Sequence, residues 1–258
     1  MDNIISKIGK SFLQILWNIG AFSLFLFRAL KGGFTIRCPL KQTFVQMKYM
    51  FVNTLPLIAI TAVFTGAVLA MQSYTGFSRM HAESSIASIV VISIARELGP
   101  VLSGLMFAGR LGSSIAAEIG TMKVTEQIDA LESLGVNSKT YLIFPRVVAG
   151  MISLPLLVMF ADILGVFGGY IVATQILGFD STTYLYKTIN FIQFHDFVSG
   201  ILKSFWFGLA ISSVGCFNGF TASGGAQGVG HATTQSVVYS AISVFTLNYI
   251  ITTIMFLC

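Results

Sequence analysis

Few residues of this chain could do chemistry, and most of them lie inside apolar stretches. Arg96 and Glu97 are adjacent at the middle of residues 86–109, and Lys203 lies within residues 197–220. An ionised side chain at the centre of a bilayer costs about 2.5–3.5 kcal/mol on insertion scales, so it needs a partner or a wet cavity. The adjacent pair therefore indicates either a structural ion pair between helices or a polar element of a transport cavity.

Lys203 and Asp162 are further candidates. At about 1.5 Å of rise per residue, Lys203 lies about 9 Å and Glu97 about 16 Å from the same side of the membrane. A lysine side chain can reach across about 6 Å, so an ion pair between them is geometrically feasible. The alternative is a lysine that snorkels to the surface. Asp162 lies near the centre of residues 147–173 without an obvious partner. It is expected either to be neutral and hydrogen-bonded or to serve in a proton relay.

Enzyme and metal-site motifs are absent from the sequence. There is no phosphate-binding loop, no G-x-S-x-G and no H-E-x-x-H. The histidines and cysteines show no ligand or disulfide spacing; they are His81, His195, His231, Cys38, Cys216 and Cys258. The sequence therefore predicts no cofactor and no metal. If the protein moves a substrate against a gradient, the energy would come from an ion gradient or a separate ATPase.

The composition explains where these residues must lie. Of 258 residues, 55% are hydrophobic and only 10% are charged, whereas a soluble domain has about 25% charged residues. The chain cannot coat a soluble surface, which excludes a soluble enzyme, a disordered chain and a nucleic-acid-binding domain. Its net charge of +5 is therefore not taken as affinity for nucleic acid. The sequence predicts an all-α integral membrane protein.

Five stretches are long and apolar enough to span a bilayer: about 57–75, 86–109, 147–173, 197–220 and 235–257. A sixth stretch, 11–30, either spans or lies flat in the interface, and basic residues on both sides favour the interfacial helix. The expected organisation is an N-terminal helical region over 1–50 followed by a membrane domain over 51–258. Small residues four apart, such as Gly66 and Ala70, predict close helix packing, with a dimer seam as the alternative.

Basic residues predict the orientation. Seven precede residue 50 (Lys7, Lys10, Arg28, Lys31, Arg37, Lys41 and Lys48), and four lie in loop 110–146 (Arg110, Lys123, Lys139 and Arg146). With a cytoplasmic N-terminus, only Arg79 and Lys187 fall outside, and positive residues favour the cytoplasmic side. The C-terminus is then expected outside.

Loop 110–146 carries four of the ten acidic residues. Residues 114–135 combine helix-like apolar spacing with Glu118, Glu126, Asp129 and Glu132. This pattern predicts an amphipathic helix that offers a docking surface to another protein. A plain solvated loop is the alternative.

Several motifs together resemble one family. They are Arg96-Glu97-Leu98-Gly99-Pro100, the run from Phe107 to Val136, Ile152-Ser153-Leu154-Pro155, Phe217-Asn218-Gly219 and Ala232-Thr233-Thr234. Over about 45–257 the chain resembles the MlaE family of ABC-transporter permeases, and the long central run is the most specific motif. The piece Asp129-Ala130-Leu131-x-x-x-Gly135 also resembles the E-A-A-x-x-x-G coupling signature of ABC importers.

The resemblance implies a function and partners. The chain would be a non-catalytic, homodimeric permease of the inner membrane, with an N-terminal interfacial helix and five transmembrane helices. It would move phospholipids between the inner and outer membranes and maintain outer-membrane lipid asymmetry. A cytoplasmic ATPase would bind ATP and magnesium, an MCE-domain ring protein would sit on the periplasmic side, and a STAS-domain protein commonly binds the ATPase.

The resemblance also implies site residues. The polar lining of the lipid cavity is expected at Arg96, Glu97, Lys203 and His231, and its apolar lining at Leu69, Leu98 and Val101. Coupling to the ATPase is expected at Glu118, Met122, Glu126, Asp129, Leu131 and Glu132. The family often has arginine at the position of His231, and histidine is mostly neutral near pH 7, so no permanent charge is expected there.

Two other functions compete with this interpretation. An ion-coupled secondary transporter of an amphiphilic solute would use Glu97 or Asp162 as its proton site, but the odd span number and the lack of an internal repeat disfavour it. A lipid-modifying enzyme would use Arg96, Glu97 and His231, but the chain has no nucleophile–base motif.

Overall fold

A computed structural model describes the backbone of residues 2–35, 40–80 and 85–257. Arg37, Cys38, His81 and Cys258 lie outside the described residues. Within the described ranges the chain is helical: α1 (Asp2–Thr35), α2 (Leu40–Phe77), α3 (Ile86–Ser93), α4 (Gly99–Phe107), α5 (Ser113–Val124), α6 (Gln127–Ser133), α7 (Phe144–Gln175), α8 (Ser181–Phe191), α9 (Phe194–Phe220) and α10 (Gly225–Leu257). Three π-helical turns join some of them: Ile94–Leu98, Ala108–Gly112 and Lys139–Ile143.

Among the described residues, five helical segments are long and apolar enough to cross a membrane: Leu40–Phe77, Ile86–Val124, Lys139–Gln175, Phe194–Phe220 and Gly225–Leu257. Each contains one predicted apolar stretch, so the prediction of five spanning helices is confirmed. Helices suit these sequences because lipid offers no hydrogen-bond partners and a helix satisfies its own backbone. The helix α1 is not among the five, and its interfacial placement stays a prediction.

The third spanning segment lies at the centre of the bundle. Its helix α7 packs between α2 and α9, while α10 packs against α9 and α5. Close packing depends on glycines at the crossings. A Cβ atom on Gly66 would overlap the carbonyl oxygen of Gly165, and one on Gly208 would overlap that of Gly150. The small-residue spacing of the sequence thus corresponds to close backbone approach within one chain.

The predicted helix over 114–135 is divided in two. Helix α5 continues the second spanning segment to Val124, and only Gln127–Ser133 forms the separate helix α6. The break falls at Glu126, whose φ of 60° lies in the left-handed region. The adjacent β-branched residues Val124 and Thr125 are weak helix formers, which favours a break here. The prediction missed the break because the spacing of apolar residues continues across it.

The contact between α2 and α7 yields a first prediction. Gly66→Val should destabilise the protein, because its side chain meets a backbone carbonyl that cannot rotate away. Overpacking of this kind costs about 1–3 kcal/mol or more. Gly76→Val on the same helix is the matched control, since nothing lies within 4 Å of a Cβ there. Thermal unfolding in detergent measures both, and equal melting temperatures would contradict the assigned helix contact.

Candidate functional site

An ion pair joins the second and fourth spanning segments. The ammonium of Lys203 on α9 donates to Glu97 Oε1 at 2.7 Å. The Lys203 side chain is 1% exposed, whereas that of Glu97 is 39% exposed. The predicted pair is therefore present, and the alternative of a lysine that snorkels to the surface is wrong.

A proline explains why Lys203 has a second acceptor. Pro100 lacks a backbone N–H, so the carbonyl of Arg96, four residues earlier, loses its helical donor. That carbonyl accepts from Lys203 Nζ at 2.8 Å. The π-helical turn Ile94–Leu98 lies at this point, as such turns often do at functional sites. Local sequence thus creates the orphaned acceptor, and the neighbouring helix supplies its donor.

Two side chains of the last spanning helix, α10, also donate hydrogen bonds to Glu97. Asn248 Nδ2 donates to Glu97 Oε2 at 3.0 Å, and the Thr252 hydroxyl donates to Oε1 at 3.3 Å. These two residues are four apart and share one face of α10. Sequence reasoning missed both. Their signal was an asparagine and a threonine four residues apart in a spanning stretch that has no charged residue.

Arg96 has a different partner from its neighbour. Its Nη1 lies 3.5 Å from Asp196 Oδ1, with side-chain exposures of 38% for Arg96 and 8% for Asp196. Asp196 lies in the first turn of α9, where its Oδ2 accepts from the backbone N–H of Gln193 at 3.1 Å. Sequence reasoning also missed Asp196. Arg96 and Glu97 therefore hold helices together, but through separate ion pairs.

We call these six residues the polar cluster: Arg96, Glu97, Asp196, Lys203, Asn248 and Thr252. The carboxylate of Glu97 accepts from three side chains, and the buried ammonium of Lys203 has two acceptors. A carboxylate and an ammonium whose hydrogen bonds are already made within the protein are suited to electrostatic recognition rather than to nucleophilic attack on a substrate. The half-exposed faces of Arg96 and Glu97 present one positive and one negative group from within apolar helices.

Other predicted cavity residues lie elsewhere. His231 is exposed near the start of α10 and lines a polar pocket of about 380 Å³; it lies about 25 Å along the helix from Asn248, at about 1.5 Å per residue. The structure therefore does not bring His231 to the polar cluster. Leu98 lines a small cavity of about 20 Å³, Leu69 packs against a separate apolar group, and Val101 packs against the main core.

Asp162 is buried on α7. Its Oδ1 has no hydrogen-bond partner among the described residues. It lies against α4 so closely that a Cβ atom on Gly99 would overlap it. The hydrogen bond expected from the sequence is therefore absent at this oxygen, and the glycine of the Gly99-Pro100 pair makes room for the carboxyl group.

The acidic residues of the loop have unlike surroundings. Glu118 Oε1 accepts from Arg146 Nη2 at 2.6 Å, and the Arg146 side chain is only 6% exposed. Glu118 thus neutralises a buried cation. Met122 and Leu131 pack against the core.

Around α6 the acids face outward. Glu126, Asp129 and Glu132 are exposed, although Asp129 accepts from Lys123 at 2.8 Å and Glu132 from Ser138 at 2.5 Å. Leu134, just after α6, is 79% exposed. The surface available for docking is therefore α6 and its following turn, rather than the whole of 114–135.

Several known proteins that are similar to this chain are described as permeases. The sequence model of the family described as Permease MlaE matches residues 43–254. A probable ABC transporter permease protein of Rickettsia felis is 49% identical over 256 residues, which cover 98% of each chain. The intermembrane phospholipid transport system permease protein MlaE of Haemophilus influenzae is 36% identical over 255 residues, again 98% of each chain. A probable ABC transporter permease protein of Synechocystis is 38% identical over 216 residues, 84% of this chain and 82% of the relative.

Proposed function

Because this chain belongs to the MlaE permease family, we propose that it is the membrane subunit of an ABC transporter that moves phospholipids between the inner and outer membranes. Such movement would maintain the lipid asymmetry of the outer membrane. The observation that carries the proposal is the polar cluster, which keeps Arg96 and Glu97 partly exposed between otherwise apolar spanning helices. An amphiphile needs this combination of apolar walls for its acyl chains and charged groups for its head.

In this proposal Arg96 meets the lipid phosphate, and Glu97 faces a positive part of the head group or its water shell. Lys203 is too buried to touch lipid; it positions Glu97 and the freed carbonyl of Arg96. The apolar faces of α2 and α10 expose large side chains, including Phe64, Val68, Ile242 and Phe245. A second copy of the chain would cover part of these faces and close the cavity, making the permease a homodimer.

Energy would come from a cytoplasmic ATPase that docks on α6 and binds the ATP and magnesium. The distribution of basic residues supports a cytoplasmic N-terminus and a periplasmic C-terminus in the inner membrane. An MCE-domain ring protein would then receive or deliver lipid on the periplasmic side, and a STAS-domain protein would bind the ATPase.

Docking on α6 has a direct test. Leu134→Arg should weaken retention of the ATPase at least tenfold, because the contact would have to bury an unpaired charge in place of an apolar side chain. Leu185→Arg is the matched control, since Leu185 is also exposed but lies on α8 at the opposite end of the bundle. Quantitative pull-down from membranes measures retention. Full retention by Leu134→Arg would contradict the docking assignment.

Reconstitution tests the transport itself. Vesicles that contain the permease with its ATPase should move labelled phospholipid only with ATP. The ion-coupled alternative is favoured by one observation, the buried Asp162 oxygen without a partner among the described residues. Lipid movement driven by a proton gradient in vesicles without ATPase, and lost in Asp162→Asn, would establish that alternative instead.

A further inference from the structure

A basic pocket lies at the same end of the bundle as α6. It is bounded by the end of α1, the turn after α6 and the π-helical turn Lys139–Ile143, and its volume is about 670 Å³. We call it the basic pocket. Its charged lining consists of Arg28, Lys31, Lys139 and Glu132. Three cations face one carboxylate, and that carboxylate already accepts a hydrogen bond from Ser138.

Close packing fixes the position of α1 relative to the π-helical turn Lys139–Ile143, and these two segments form opposite walls of the basic pocket. Arg28 and Lys31 are three residues apart on α1 and so share one face of the helix. Just beyond them, a Cβ atom on Gly32 would overlap Thr140, and one on Gly33 would overlap the Phe144 ring. Only glycine allows so close a contact, and it fixes the α1 cations opposite Lys139.

Aromatic packing holds the same end of α1. The Phe25 ring lies 5.4 Å from that of Phe217 and 5.5 Å from that of Phe220. The ammonium of Lys139 lies 5.6 Å from the Phe220 ring centroid. These contacts hold α1 and the Lys139 ammonium against the same ring, so part of the pocket lining is ordered before a ligand binds.

The exposed face of α1 that carries these cations is also apolar, since Leu24 and Phe27 lie four residues before Arg28 and Lys31. Trp17, Leu24 and Phe27 are exposed there, and Phe27 adjoins Arg28 in the sequence. An apolar face of this kind suits acyl chains, and the cations beside it suit a phosphate at head-group level. Basic pockets between helices on the cytoplasmic side of membrane proteins bind anionic lipid head groups.

We propose that the basic pocket binds the phosphate head group of an anionic phospholipid from the adjacent leaflet, as a bound lipid distinct from the transported one. It lies beside Phe220, about 25 Å along α9 from Lys203 at about 1.5 Å per residue, so it is separate from the polar cluster. Gly135 and Asn137, which follow α6, also line it. A lipid bound in the basic pocket would therefore stabilise the conformation of α6 and its following turn, on which the ATPase is proposed to dock. The inference rests on the proposed membrane placement, but not on transport.

The test uses the full chain with its ATPase, purified in detergent, and native mass spectrometry of bound lipid. Phosphatidylglycerol should bind more tightly than phosphatidylcholine. The Arg28→Gln/Lys139→Gln variant should bind phosphatidylglycerol about 30-fold more weakly, since each basic residue near a lipid head group contributes about fivefold. The Lys41→Gln/Lys48→Gln variant removes the same charge from α2, outside the basic pocket, and should bind normally. Arg28→Lys/Lys139→Arg keeps the charge and should also bind normally, which separates electrostatic loss from misfolding.

Three results would overturn the inference. Equal binding of the two lipids by the native protein would show that the pocket does not select an anionic head group, because both lipids carry a phosphate and differ in net charge. Displacement of bound phosphatidylglycerol by inorganic phosphate at the same concentration as the lipid would assign the pocket to free phosphate. Loss of the ATPase from Arg28→Gln/Lys139→Gln with lipid retention unchanged would make the pocket a protein contact. Because none of these measurements reads transport, failure here leaves the proposed function standing.

Discussion

Glu97→Gln is expected to destabilise the protein by about 2–3 kcal/mol and to reduce ATP-driven phospholipid movement at least tenfold. The change leaves the Lys203 ammonium, 1% exposed, without a counter-charge. Removing one partner of a buried pair costs about 3–5 kcal/mol; we expect less here because Glu97 is partly exposed. Thermal unfolding and lipid transfer in reconstituted vesicles measure the two effects separately.

The double variant Glu97→Gln/Lys203→Met separates folding from function. With both charges removed, no ion is left buried alone, so stability should recover to within about 1 kcal/mol of the native protein. Lipid movement should stay low, because the exposed negative group of the polar cluster is lost while Arg96 remains. Asp180→Asn makes the same carboxylate-to-amide change at an exposed position before α8, outside the polar cluster and the proposed docking surface, and is the matched control. Native transport rates in the double variant would remove the pair from the mechanism.

Glu118→Ala is expected to have the second largest effect. Arg146 is buried. Among the described residues, its guanidinium donates to the carboxylate of Glu118 and to the carbonyl of Leu142, and the first of these partners is charged. Loss of the carboxylate should cost about 1–3 kcal/mol, a moderate figure because water reaches the half-exposed Glu118 side chain. Thermal unfolding in detergent measures the loss.

A second measurement decides what Glu118 does. If Glu118 only neutralises Arg146, Glu118→Ala/Arg146→Met should regain stability and retain the ATPase. If Glu118 itself contacts the ATPase, as the resemblance implies, the double variant should be stable yet lose the ATPase. The structure favours the first outcome, because the carboxylate already points to Arg146. Glu118→Ala with unchanged stability would contradict the observed ion pair.

The sequence by itself determined the spanning helices and the depth of their charges. Apolar runs of about 20 residues have one stable form in lipid, since every backbone group must be satisfied within the segment. Depth follows from the fixed rise per residue, which is why Lys203 and Glu97 could be matched across helices from their positions in the chain alone. The small residues near Gly66 and Gly208 likewise marked where helices approach.

Only the tertiary structure decided which side chains meet. The rotation of each helix about its axis depends on its neighbours, so sequence did not reveal that Asn248 and Thr252 face Glu97 or that Asp196 faces Arg96. The same applies to Glu118, which the sequence presents as a docking acid but which the fold places beside Arg146. His231 shows the converse case, because the resemblance grouped it with Arg96, Glu97 and Lys203. The fold instead places it at the start of α10, far along that helix from Asn248, which contacts Glu97. Rise along a helix is set by local geometry, whereas contact between helices is set by packing of the whole bundle.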